Sequence, residues 1–304
     1  MTKRLRSLFI GVLVVLAIAA GACGDDSTPS VGTTGTAAPT TTEAPKPQRI
    51  VSLSPSTTEM LYAIGAGKQV VAVDALSNYP PEAPKTELSG YRPNVEAIAA
   101  KNPDLVVLGN DSDGIVAKLQ TLKIKTLLLP AANKIADSYT EMEQLGAATG
   151  NVSGAAEAVL KMRTRIDDIV KSAPKPSKPL RYYHELDSTL FTVTSKTFIG
   201  EVYSLVGLQN VADAADSKGS NYPQLSAEYL VQQNPELVFL ADSKCCGQNL
   251  KTFGARPGFD QIAAVKSGAV IELDDDIASR WGPRTADFLQ AVVQGMARLP
   301  AAAR

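Results

Sequence analysis

Apolar positions recur along this chain in two different periods, and the places where one period gives way to the other outline an α/β protein. Short β-branched runs at Arg49–Leu53, Val70–Val73, Leu105–Leu108 and Lys125–Leu129 predict strands. Between them Met60–Ile64, Val95–Ala100 and Gly114–Leu122 predict helices. Ser56 and Glu59 stand at capping-box spacing where the first helix begins, and Gly65 stops it. Strands alternating with helices at these intervals predict a mainly parallel sheet covered on both faces. Between Asn151 and Val170 the residues Val152, Ala155, Ala156, Val159, Met162, Ile166, Ile169 and Val170 are apolar in steps of three and four. That spacing predicts one amphipathic helix of about 20 residues, about 30 Å long. The Pro-rich stretch Ala173–Pro179 ends it. The second half repeats the theme, with strands predicted at Arg181–His184, Leu190–Val193, Leu237–Leu240 and Ala269–Leu273, and helices at Ile199–Val206, Ala227–Gln232 and Thr285–Arg298.

The repetition extends to individual residues. Glu96 is followed six residues later by Asn102-Pro103-Asp104-Leu105-Val106-Val107-Leu108; 132 positions on, Glu228 is followed six residues later by Asn234-Pro235-Glu236-Leu237-Val238-Phe239-Leu240. Glu59–Gly65 (EMLYAIG) and Glu201–Gly207 (EVYSLVG) form a second matched pair. The chain therefore predicts two similar Rossmann-like lobes, 48–150 and 174–304, joined by a long helix over 151–173. Two like lobes facing each other make a cleft, and clefts hold ligands. A single helical connector permits only a small closure, so the cleft is expected to be largely preformed, with little ordering cost on binding.

The termini and composition narrow the setting. Lys3, Arg4 and Arg6 precede an apolar run from Leu8 to Ala20, which reads as a secretory signal over 1–22. Ala20-Gly21-Ala22-Cys23 resembles the bacterial lipobox, making Cys23 the expected site of lipidation. Lipid there would hold the protein on the outer face of the bacterial cell membrane without a spanning helix. Residues 23–47 are Thr, Pro, Gly, Ala and Ser with almost no large apolar side chain, the composition of a disordered tether. No later apolar run is long enough to cross a bilayer. The formal charge is −1, and removing the three leader cations leaves 27 basic against 31 acidic side chains, which argues against a nucleic-acid partner. Cys245 and Cys246 are adjacent. In an exported protein such a pair is a vicinal disulfide, two free thiols or a soft-metal contact, and it lacks the spacing and extra ligands of a zinc site.

The opening RIVSLSPSTTEMLYAIG, the loop SNYPPEA, the helix VEAIAAKNPDLVVL and the mid-chain helix together resemble class III substrate-binding proteins of ABC importers, whose members carry cobalamin, ferric siderophores or haem. The likeness covers about residues 48 to 300. SNYPPEA and the ending Asp276-Ile277-Ala278-Ser279-Arg280-Trp281-Gly282-Pro283-Arg284 are most similar to the cobalamin-binding branch. The resemblance implies a corrinoid as the transported ligand, no resident cofactor, and a permease dimer with its ATPase as partner. It places Tyr79 on the tyrosine of the branch's loop, with Asn78 replacing an aspartate. Tyr91 and Tyr222 fall where that branch tends to carry tryptophans, Asp276 and Arg280 match an acid and a base on the cleft's second side, and Trp281 joins the same ligand-facing ending. Gly109 stands where another aromatic is expected. Glu96 and Glu228 match the two glutamates, one per lobe, that such proteins use to dock onto permease arginines.

The side chains suit that task. A corrin is a broad, partly apolar disc edged with amides, and tyrosine offers flat contact area together with a hydroxyl. Asp276 and Arg280 are four apart and can pair if the segment is helical. His184, the single histidine, ends a predicted strand where it can reach a metal at the cleft or serve as a hydrogen-bonded residue near the hinge. Haem and ferric siderophores remain the alternative cargo, with Arg92, Arg256, Arg280 and Arg284 available to a siderophore. No G-x-S-x-G elbow, P-loop or G-x-G-x-x-G turn is present, so no catalytic residue and no resident metal site are expected.

Overall fold

The computed structural model describes residues 46–299; the 1–22 leader, Cys23 and the tether as far as residue 45 lie outside the described residues. The first lobe runs β1 (Ile50–Leu53), α1 (Pro55–Ala63), β2 (Val70–Val73), α2 (Val95–Ala99), β3 (Leu105–Leu108), α3 (Ile115–Thr121) and β4 (Lys125–Leu128). Two longer helices follow, α4 (Ile135–Thr149) and α5 (Val152–Ser172). The second lobe runs β5 (Arg181–Glu185), α6 (Phe198–Ser204), β6 (Gln209–Asn210), α7 (Ala227–Gln233) and β7 (Leu237–Leu240). Short helices α8 (Ser243–Cys246), α9 (Leu250–Gly254) and α10 (Ala263–Ser267) lead to β8 (Val270–Glu272), α11 (Asp275–Ser279) and α12 (Thr285–Ala297).

Each lobe holds a four-stranded parallel sheet, in the order β2-β1-β3-β4 and β6-β5-β7-β8. The two orders are the same under the internal repeat, which has a physical job in both lobes. Asn102 and Asn234 adopt left-handed backbone (φ 48° and 46°), a conformation asparagine tolerates, and the prolines that follow cannot continue a helix. The acid of each Asn-Pro-acid motif then ties two strands together. Asp104 accepts the backbone N–H groups of Gln48 (2.8 Å) and Arg49 (3.0 Å), and Glu236 accepts that of Arg181 (2.9 Å). Arg49 and Arg181 return the contact by donating to the carbonyls of Asn102 and Asn234.

Strand periodicity divides the core. Leu105 and Val107 of β3, and Leu237 and Phe239 of β7, face one shared cluster that also takes in Ala155, Val159, Met162, Ile166 and Ile169 of α5 together with residues of α1, α4, α6 and α12. Val106 and Leu108 face a separate cluster under α2 and α3, and Val238 and Leu240 one beneath α7 and α9. The central helices thus belong to both lobes at once. Gly154 permits this closeness, because a Cβ there would collide with the Ile64 carbonyl at the end of α1.

Two expectations are corrected. Ser54, not Ser56, is the N-cap of α1, and Glu59 makes no capping bond; it is buried and paired with distant arginines. Leu190–Val193 is not a strand: Phe191 forms one isolated antiparallel bridge with Gln224, and the Thr192 hydroxyl donates to the His184 carbonyl instead. The long connecting helix is α5, Val152–Ser172, as the apolar spacing predicts, and α4, which the pattern did not predict, folds back on it.

Candidate functional site

In sheets of this order the chain leaves the first and third strands in opposite directions, and the carboxyl ends diverge around a crevice where ligands bind. In the first lobe that point lies beyond β1 and β3. The long segment after β2 crosses the end of β1 at Gly90, where a Cβ would strike the Leu53 carbonyl oxygen, and Asn110, after β3, donates from its side chain to the Gly90 carbonyl (3.2 Å). This fixes Tyr91 at the rim, 75% exposed. In the second lobe the residue after β5, Leu186, donates its N–H to the Phe191 carbonyl (2.9 Å), and Phe191 pairs with Gln224 two residues beyond Tyr222. Tyr222 and Phe191 are therefore set on the carboxyl rim of β5, 51% and 39% exposed. Phe191 went unnoticed in the sequence because its β-branched neighbours read as a strand.

Tyr79 also lies in the segment after β2, held from beneath by a buried hydroxyl ladder: Thr58 donates to Ser52 (2.8 Å) and shares a hydrogen bond with Ser77 (2.9 Å), whose hydroxyl donates to Asp74. Burial pushes the Asp74 carboxyl up, against the pull of the Ser77 hydrogen bond. The next residue, Asn78, crosses to the other lobe. Its amide donates to Asp276 Oδ2 (2.9 Å) and its carbonyl oxygen accepts from Arg280 (2.8 Å). Arg280, only 8% exposed, also donates to Glu59 Oε1 (3.0 Å), the Leu76 carbonyl (3.0 Å) and Asp276 Oδ1 (2.6 Å). Asp276 and Arg280 thus pair across α11 as their spacing predicts, and every terminal N–H of the guanidinium has an acceptor. Burial tends to raise the Asp276 carboxyl, but the Lys244 ammonium (2.6 Å), Asn78 and Arg280 outweigh it and hold it below the usual carboxylate range. Arg284 donates to the second Glu59 oxygen (2.7 Å) and lies over the Tyr79 ring, 4.3 Å from its centroid. The result is a charged clamp that joins the carboxyl rims of the two sheets next to Tyr79.

The other expected contacts fall elsewhere. Trp281 donates its indole N–H to Glu141 Oε2 of α4 (2.8 Å), with the ring packed against the shared core. His184 is fully buried in β5, its Nδ1 hydrogen-bonded to the Tyr203 hydroxyl (2.7 Å), and burial pushes its pKa down to about 3. It is a neutral core residue, and the expectation that it meets a ligand is corrected. The siderophore arginines do not converge: Arg256 forms a two-pronged pair with Glu185 (2.7 Å each), while Arg280 and Arg284 share Glu59. Glu96 and Glu228 are exposed in the first turns of α2 and α7, whose N-caps Asn94 and Ser226 both accept a backbone N–H. Among the described residues no group of three or more histidine, cysteine or acidic side chains is placed to hold a metal ion. No described helix is long and apolar enough to cross a membrane.

Comparison with known proteins agrees with this architecture. The family model described as periplasmic binding protein matches residues 50–277. An uncharacterized ABC transporter substrate-binding lipoprotein of Bacillus subtilis is 31% identical over 83% of this chain and 80% of its own length. A vitamin B12-binding protein of Vibrio cholerae is 30% identical over 81% of this chain and 87% of its own. Among solved structures, the periplasmic vitamin B12 binding protein BtuF of Vibrio cholerae aligns with a TM-score of 0.69 and 28% identity, covering 83% of this chain and 97% of that one. The chain belongs to the periplasmic binding protein family, in the class of ABC-importer substrate-binding proteins whose two parallel-sheet lobes are joined by a long helical connector.

Proposed function

We propose that this protein captures a corrinoid of the cobalamin type between its lobes and delivers it to an ABC importer, held at the outer membrane face by lipid on Cys23. The observation that carries the reading is the set of exposed aromatic side chains at the carboxyl rims, Tyr91 on one lobe and Tyr222 and Phe191 on the other, with the exposed Tyr79 beside the clamp under Arg284. Exposed aromatic rings are costly to leave in water and effective against a broad, flat ligand. The B12-binding relatives at 28–30% identity support the corrinoid over other cargo. Capture is non-covalent. The aromatic faces supply contact area, while Asp276 and Arg280, occupied with each other and with Asn78, fix the spacing of the rims. Glu96 and Glu228 then present one carboxylate per lobe to a two-fold permease.

Titration of wild type and of the Tyr79→Ala/Tyr222→Ala variant with cobalamin tests this. Affinity at least tenfold weaker in the variant is expected, about 1.4 kcal/mol. Equal affinity in the two proteins contradicts the aromatic cleft.

A further inference from the structure

The adjacent cysteines lie at the second lobe's crevice. The structure joins Cys245 to Cys246 in a disulfide, in the exposed turn that follows β7, one of the two strands flanking the switch point. This turn is tied to the segment after β8 by side chain and backbone alike. Asp275 accepts the N–H groups of Lys244 (3.0 Å) and Cys245 (2.6 Å), and the Ser243 hydroxyl donates to the Leu273 carbonyl. The Lys244 ammonium donates to Asp276 (2.6 Å). Asp276 in turn carries the bonds to Asn78 and Arg280. An unbroken run of polar contacts therefore leads from the disulfide to the clamp between the lobes. At the buried base of the turn Asp242, the residue before Ser243, is 1% exposed; its backbone carbonyl accepts the Gln248 N–H (3.3 Å), while both its carboxyl oxygens lack a hydrogen-bond partner among the described residues.

We propose that the Cys245–Cys246 disulfide is a positioning element of the capture site. Closed, it removes the backbone freedom of a four-residue helix too short to hold itself, and so keeps Lys244 and the two amides on Asp275 and Asp276. Opened, it releases the turn, loosens Asp276 and weakens the interlobe network that sets the rims around the ligand. Opening requires a dithiol reductant. One of its thiolates attacks a cysteine sulfur and the S–S bond breaks. Its second thiol then closes a ring on the mixed disulfide, so two electrons and two protons pass from the dithiol to Cys245 and Cys246. The cysteines sit on the exposed side of the turn, where such a reductant reaches them.

The effect on capture rests on the reading given under Proposed function, whereas the effect on the turn does not, and the test separates them. Amide hydrogen exchange is followed in the ligand-free protein as oxidised, as reduced by dithiothreitol, as reoxidised, and as the Cys245→Ser/Cys246→Ser variant. Exchange at least tenfold faster over 243–247 and 274–281 is expected in the reduced and serine proteins. Strands β1 and β7 should be unchanged, and reoxidation should restore the slow rate. Equal exchange in all four states overturns the proposal whatever the ligand. Cobalamin titration of the oxidised and reduced forms completes it, with at least threefold weaker binding expected on reduction. Equal affinities overturn the positioning role, while no cobalamin binding by the oxidised protein sinks the corrinoid reading and leaves hydrogen exchange to decide whether the disulfide holds the turn.

Discussion

Trp281 is the one tryptophan of the chain, and its indole N–H rests on a carboxyl group that burial has pushed up to about 7, with Asp137 adding to the rise and the indole hydrogen bond opposing it. The native state therefore holds the Glu141 proton between about pH 4.5 and 7, whereas the unfolded chain has released it. With more protons bound when folded, stability falls as pH rises through that window; the contribution is complete below the unfolded value and lost by the folded one. Tryptophan emission should titrate with a midpoint near 7, and Glu141→Gln, which keeps an acceptor for the indole, should abolish the titration. Wild-type emission independent of pH between 5 and 8 would show that Glu141 is not a protonated neighbour of Trp281. His184 behaves oppositely: its depressed pKa makes stability rise with pH between about 3 and 6.5. Its burial was hidden from the sequence, since a histidine at a strand end reads equally as rim or core, and only the Tyr203 hydroxyl opposite its Nδ1 decides the matter.

At the scale of elements, the strands and the long amphipathic helix α5 were legible because period and burial coincide. Leu105–Leu108 and Leu237–Leu240, fully buried between two helical layers, keep the bounds their apolar runs predict. Helix α4 is not evident in the sequence despite Ile135, Tyr139, Met142 and Leu145 at helical spacing, because its buried face also carries the polar residues Ser138, Glu141 and Thr149. Its entry is secured from the other lobe, with Glu201 of α6 accepting the Ile135 N–H (2.6 Å). The same position in the first lobe, Glu59 of α1, holds Arg280 and Arg284. Partners 221 and 225 residues away leave no local trace, so a capping role was the natural local reading of Glu59. Removing the acid leaves two guanidinium groups without their shared partner, one of them 8% exposed. Glu59→Ala should therefore lower unfolding free energy by about 3–5 kcal/mol in urea, and Glu59→Gln by less, because the amide oxygen still accepts. A loss under about 1 kcal/mol for Glu59→Ala would assign the clamp the weight of an ordinary surface pair.

For the whole molecule, one continuous core under both sheets matters more than either lobe alone. The lobes share α5 and α12 and are pinned at their rims by the Asn78–Asp276–Arg280 contacts, which supports the proposal that the cleft is set before ligand arrives. On the proposed function, docking onto the permease then depends on the outside of that body. Glu96→Lys/Glu228→Lys should leave ligand affinity unchanged and abolish uptake in cells; uptake at the wild-type rate would remove these carboxylates from the permease contact. The capture role depends on the identity of the cargo, which calorimetric titration of the protein with cobalamin, haem and a ferric hydroxamate siderophore measures most directly. One cobalamin per chain should bind with submicromolar affinity, and the other two more weakly. Silence toward cobalamin with tight binding of haem or the siderophore would contradict the corrinoid assignment.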